Sequence, residues 1–208
     1  MSLSIAYSQP QQDQPNIIPV TTTGLYQQVL QLREKVYRPL YPGIKNIAAA
    51  DPFDFGARLW VTLDPHGCVD STARLAPDGD AGLPSEAYAG PYLDALRDNG
   101  LHIAEFGRLM SDQDHAPTGL SRHYYGHAWA ESLRAGIDTI VIVANQNMLS
   151  LYGPCFGARL LCPDIQEDFG SGTPFSLYDW DVRNTAPAFF TWARMDKNAQ
   201  SHQPPQPQ

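Results

Sequence analysis

Residues 101–110 read Leu-His-Ile-Ala-Glu-Phe-Gly-Arg-Leu-Met, an apolar, strand-like run in which Glu105 and Arg108 stand among Ile103, Phe106, Leu109 and Met110. A carboxylate is costly to bury unless it is paired or used. Side chains alternate faces along a strand, so an offset of three puts Glu105 and Arg108 on opposite sides. Cooperation between them requires one extra residue, and the bulge is expected close to Gly107, which lies between them. The alternative is a buried Glu105–Arg108 ion pair that only holds the sheet together.

Outward from this strand the chain alternates helical and extended segments. Upstream, Thr21 to Thr23 can cap a helix whose Leu25, Val29, Leu32 and Val36 draw one apolar stripe, ended by Pro39 and Pro42. Ala57 to Leu63 and Cys68 to Leu75 alternate around the turn tetrapeptide Asp64-Pro65-His66-Gly67, a hairpin pattern. Tyr88 to Asn99 forms a helix stopped by Gly100. Downstream, Leu120 to Ala135 is a helix ended by Gly136, and Ile137 to Ala144 a strand covered on both faces. Asn147 to Tyr152 is a short helix broken by Gly153-Pro154, and Phe175 to Val182 another strand. Ala186 to Met195 suits either helix or strand. Helices following strands argue for an α/β (α+β) fold, a mixed central sheet with helices on both faces.

Composition sets the frame for function. The 208 residues are 43% hydrophobic and 17% charged, enough to bury a sizeable core. Fourteen basic against 22 acidic residues leave a net charge of −8, which excludes the basic excess that phosphate-backbone binding requires. Ile137 to Ala144, the longest mostly apolar run, is far short of the roughly 20 residues that span a bilayer, and the first 20 residues lack signal-peptide features. Cys68, Cys155 and Cys162 are an odd number without metal-ligand spacing, so a reducing, cytoplasmic setting is expected. Ser8 to Val20 and Ser201 to Gln208 are rich in Gln and Pro, so residues 1–20 and 198–208 are expected to be disordered tails around a single domain, 21–197. His123 and His127 lie one helical turn apart, but Tyr124-Tyr125-Gly126 between them lacks the metalloprotease glutamate, and no metal is expected.

Other charged residues fall at telling positions. Arg33 precedes Tyr37 by four residues, on one helix face. Asp51-Pro52-Phe53-Asp54 holds two carboxylates three apart, and Arg74 sits in the hairpin's second strand at opposite parity to Ala73 and Leu75. The series Arg33, Tyr37, Asp51-Pro52-Phe53-Asp54, Arg74-Leu75-Ala76-Pro77 and Glu105-Phe106-Gly107-Arg108 resembles the signature of the acyl-homoserine lactone (autoinducer) synthases. The related N-acyl amino acid synthases share much of it, and both belong to the GCN5-related N-acyltransferase superfamily. Residues 151–158, Leu-Tyr-Gly-Pro-Cys-Phe-Gly-Ala, are similar to a further signature of that group. Asp78 stands where a threonine is common, and only Gly119 and Arg122 can serve as the superfamily's pyrophosphate loop.

The resemblance implies a mostly antiparallel sheet and an N-acyltransferase that moves an acyl group from an acyl-carrier-protein thioester, or acyl-coenzyme A, to the amine of an amino-acid-like acceptor. No tightly bound cofactor is implied. An amine must lose a proton before it attacks, and Glu105 is the implied general base. Arg74 and Arg108 would hold an acceptor carboxylate. Asp51 or Asp54 would meet an ammonium or order a lid formed by the first helix with Arg33 and Tyr37. Tyr152 would protonate the leaving thiolate, and Gly119 and Arg122 would contact the donor. An acidic carrier protein would dock transiently on a basic patch of Arg33, Lys35, Arg38, Arg122 and Arg159. Alternatives are an acetyl-coenzyme A-dependent acetyltransferase and an idle acyltransferase fold that binds only an acyl ligand or a partner.

Overall fold

The computed structural model describes residues 15–41, 49–114, 116–117, 119–145, 148–165 and 174–195. In chain order these form β1 (Ile18–Pro19), α1 (Thr23–Leu40), a 3-10 turn (Pro52–Asp54), β2 (Arg58–Leu63), β3 (Val69–Pro77) and α2 (Glu86–Asp98). There follow β4 (Ile103–Ser111), α3 (Leu120–Ala135), β5 (Thr139–Asn145), α4 (Leu149–Leu151) running into a π-helical turn (Tyr152–Phe156), β6 (Arg159–Cys162), β7 (Phe175–Asp181) and α5 (Pro187–Trp192). The strands make one seven-stranded sheet in the order β1-β2-β3-β4-β5-β7-β6. Only β4 and β5 are parallel neighbours, so the sheet is mixed and mostly antiparallel, as expected.

Local chemistry accounts for most of these elements. The Thr22 hydroxyl accepts the Leu25 N–H at the start of α1. In the β2–β3 turn, Asp64 Oδ1 takes the N–H groups of His66 and Cys68, and Gly67 supplies the left-handed residue at φ 80°. Gly136, at φ 72°, closes α3.

Two expectations need correction, and one left open is resolved. Residues 18–19 belong to the sheet and not to a tail: Ile18 pairs with Val61, Pro19 with Trp60, and the Val20 N–H donates to Leu59 O at 2.9 Å. Ile17, Ile18 and Val20 are the apolar exceptions in a polar stretch, and packing them covers the edge of β2. Gly153-Pro154 does not break the backbone; the chain widens into the π turn and stops at Gly157, φ 75°. The segment 187–192 is helical, with Pro187 in its first turn, where a missing N–H costs nothing. The tails at 1–14 and 198–208 and the helix start at Asn147 lie outside the described residues.

The sheet has two differently covered faces. On one, α3, α5 and the π turn pack Tyr124, Tyr125, Trp129, Tyr152, Phe156 and Phe189 against Trp60, Leu75, Phe106, Ile140 and Trp180. On the other, α1 covers Val61, Val69 and Met110. There α2 covers Ile103, Val141 and Leu177. The charged residues collect on this second face, beneath α1 and α2.

Candidate active site

The strand that contains Glu105 and Arg108 carries the expected bulge. Thr72 pairs with Met110 and Arg74 with Gly107, so Arg108 and Leu109 together oppose the single residue Ala73. The residue that takes the left-handed backbone is Arg108, at φ 52°, and not Gly107. The extra residue turns Arg108 to the side on which Arg74 lies, while Leu109 returns to the aromatic core and Met110 to the α1 core. The ion pair of Arg108 is with Asp51, at 2.9 Å, so the alternative of a Glu105–Arg108 bridge is not what forms.

Around Arg108 the predicted residues assemble into one network. Asp51 caps the 3-10 turn by accepting the Phe53 N–H, and Asp54 closes the capping box on the Asp51 N–H. Arg33 of α1 clamps Asp54 with two bonds, 2.6 and 3.0 Å. Arg74 donates from one nitrogen to Asp51 at 2.8 Å and to Asp54 at 2.9 Å. The Arg108 guanidinium carbon lies 5.6 Å from the Tyr37 ring centroid. Three guanidiniums thus face two carboxylates. Burial alone would raise the pKa of Asp54; hydrogen bonds and charge from Arg33, with Tyr26 and Arg74, instead hold it at about 2. Burial likewise opposes the ionisation of Asp51, and Arg74 and Arg108 reverse it.

Arg33 and Asp54 have no more than 1% of their side chains exposed, so they frame the site and tie α1 to β3. Tyr26 completes that tie, its hydroxyl donating to Asp54 at 2.8 Å. Sequence reasoning passed over Tyr26, although its place seven residues before Arg33 sets it on the same helix face two turns earlier.

Glu105 occupies the same face. It is 6% exposed, and its Oε2 accepts the Ser85 N–H at 2.8 Å at the start of α2. The Ser85 N–H makes the one hydrogen bond of good geometry to Glu105 among the described residues, and the Ser85 side chain bears on the same carboxylate. Burial pushes its pKa above the ordinary carboxylate value, and the neighbouring Asp51 charge adds to this; Ser85 and Arg74 pull the other way. Ser85 was not foreseen, because the helix was expected to begin three residues later.

Next to the bulge the sheet opens. β4 and β5 pair only from Ile103–Thr139 to Phe106–Ile142, after which β4 stays with β3 as far as Ser111 and β5 with β7 as far as Asn145. Two strand edges therefore part beside Gly107, and unpaired edges can take an extended, amide-bearing ligand. Tyr152 lies on the opposite face from Glu105, its hydroxyl 2.6 Å from that of Tyr125 and its pKa pushed up by burial to about 12. Gly119, at φ 75°, precedes α3, and Arg122 folds back against it.

The expected basic patch does not form. Arg33 is enclosed with Asp54, Lys35 pairs with Asp112, Arg38 with Glu34 and Arg159 with Asp179. Among the described residues, Arg122 is the one of the five with no ion pair. The acidic residues, more numerous than the basic ones, neutralise these cations one by one.

Solved structures share this fold. FeeM, an N-acyl amino acid synthase from uncultured soil microbes, is 17% identical with a TM-score of 0.67, over 90% of this chain and 97% of that one. A coenzyme A-dependent acyl-homoserine lactone synthase, BjaI, is 15% identical with a TM-score of 0.63, over 84% of each chain. The AHL synthase LasI is 15% identical with a TM-score of 0.59, over 81% and 91%. No curated protein matches the chain in sequence. Fold and family together define an enzyme of the N-acyltransferase class. Within it, the chain belongs to the N-acyl amino acid synthase FeeM family, whose model matches residues 28–181.

Proposed function

We propose that this protein transfers an acyl group from a phosphopantetheine thioester to the α-amine of an amino acid. The observation that carries the reading is the placement of Glu105, a buried carboxylate with no ion pair among the described residues, on the same face as the Arg74–Arg108 cluster and beside the opening between β4 and β5. The donor's extended arm lies along the parted strand edges and brings its thioester to the bulge. Arg74 and Arg108 take the acceptor carboxylate, since guanidinium forks match carboxylates. Asp51, held between both arginines, keeps them aligned. Asp54, Arg33 and Tyr26 hold α1 over the site, and Tyr37 stacks beneath Arg108.

Glu105 takes a proton from the acceptor ammonium, directly or through one water, and the amine lone pair attacks the thioester carbonyl. Collapse of the tetrahedral intermediate breaks the C–S bond, forms the amide and releases the thiolate; the second proton of the attacking nitrogen passes to solvent, from which the group that protonates the thiolate is restored. Tyr152, which keeps its proton at neutral pH, is the group that would protonate that thiolate across the opened sheet. Gly119 and Arg122, at the start of α3, would meet the donor's phosphate-bearing end.

Carrier protein and coenzyme A present the same arm, so the test supplies both. Acyl-carrier-protein and acyl-coenzyme A thioesters of graded length are incubated with amino acids and, separately, S-adenosylmethionine, and products are read by mass. An N-acyl amino acid is expected. No product from any combination, or product from S-adenosylmethionine alone, would overturn the reading.

A further inference from the structure

Ser85 stands at the N-terminal cap of α2, the position immediately before Glu86, where serine ordinarily turns its hydroxyl onto the N–H groups of the first turn. Here it makes no such bond. The residue is fully buried, and its Oγ makes no hydrogen bond of good geometry, yet the side chain lies close enough to Glu105 to favour that group's charged form. Its N–H, meanwhile, holds Glu105 Oε2 at 2.8 Å. A buried hydroxyl without a well-formed bond of its own thus sits beside the one buried carboxylate assigned the base role, at the positive end of a thirteen-residue helix.

We propose that Ser85 is a positioning residue for Glu105: its N–H pins Oε2 so that Oε1 faces the acceptor, and its hydroxyl turns about χ1 to donate to the carboxylate when that group is ionised. This rests on the assignment of Glu105 as the base. The hydroxyl is a switchable donor, idle while Glu105 holds a proton and engaged once the proton has left. Other groups bear on the same carboxylate: Arg74 from β3 favours its charged form, while burial and Asp51 oppose it. On the β5 side the neighbour is the apolar Val141. Ser85 is therefore the uncharged donor through which α2 sets the proton affinity of the base.

Ser85→Ala retains the N–H and removes only the hydroxyl. Two measurements decide the matter. The first is the carboxyl titration of Glu105, followed by carbon NMR with Glu105→Gln as the assignment control; it needs no turnover. A hydrogen bond to a charged group is worth enough to raise the Glu105 midpoint in Ser85→Ala by about one pH unit. Ser85→Thr should restore the original midpoint. The second is the pH profile of acyl transfer, in which the acid limb of kcat should move up by the same interval, with an unchanged KM for acceptor and full recovery on the alkaline side. Because it deletes a polar atom that makes no well-formed hydrogen bond, Ser85→Ala should not lower the urea midpoint. A titration superimposable on that of the unsubstituted protein overturns the inference. Absence of N-acyl product from the unsubstituted protein would overturn the proposed function instead, and the titration would still decide the role of Ser85.

Discussion

Replacing Glu105 by glutamine keeps the side chain's shape and the bond from the Ser85 N–H but removes the proton acceptor. Turnover should fall about 10²- to 10⁴-fold, the usual worth of general-base catalysis, with donor affinity unchanged by equilibrium binding. Equal rates in both proteins would make Glu105 structural. At Asp54 the consequence is for stability. Its folded pKa, about 2, lies below the ordinary value, so the ionised group stabilises the fold above pH 4, and that contribution is lost as the pH falls toward 2. Asp54→Asn should flatten this acid limb in denaturation midpoints measured from pH 5 to 2. It also strands Arg33 without a counter-charge, and breaking a buried pair in this way costs about 3–5 kcal/mol at neutral pH. An unchanged midpoint would show that the clamp carries no stability.

The placement of elements explains how α1 is tied to the candidate site. The helix is attached to β3 through Asp54, with Arg33 and Tyr26 reaching it from above and Arg74 from below. Tyr26→Phe removes one hydroxyl from this attachment and should cost about 1 kcal/mol, seen as a lower melting temperature with little change in KM. A KM rise without loss of stability would instead make Tyr26 a substrate contact. At the other edge of the same layer, Ile18→Ser should be destabilising by about 1–3 kcal/mol, because it removes an apolar side chain packed against the core under α1. A silent substitution would return residues 15–20 to the status of a tail. The apolar stripe of α1, the Asp64–Gly67 hairpin and both ends of α3 were legible because each is written in local spacing and turn chemistry. The short strand β1 was not, since two residues carry no periodicity and their pairing depends on an edge supplied 40 residues later.

For the whole molecule, the net charge of −8 and the pairing of its cations govern how donors arrive. Coenzyme A is an anion and carrier proteins are acidic, so long-range steering opposes both. The value of kcat/KM for either donor should stay flat or rise as salt increases from 50 to 300 mM, because added ions screen repulsion. A steep fall would reveal an attractive surface that the described residues do not form. The site itself divides in the same way. Parity along residues 101–110 required a bulge if Glu105 and Arg108 were to share a side, and the bulge is there; this follows from the two-residue repeat of any strand. Which carboxylate each arginine takes, the left-handed turn at Arg108, and the arrival of Ser85 at Glu105 were decided by tertiary structure alone. Those pairings join residues 20 to 57 positions apart, and their distances are set by how α1 and α2 settle on the sheet, which no local spacing records.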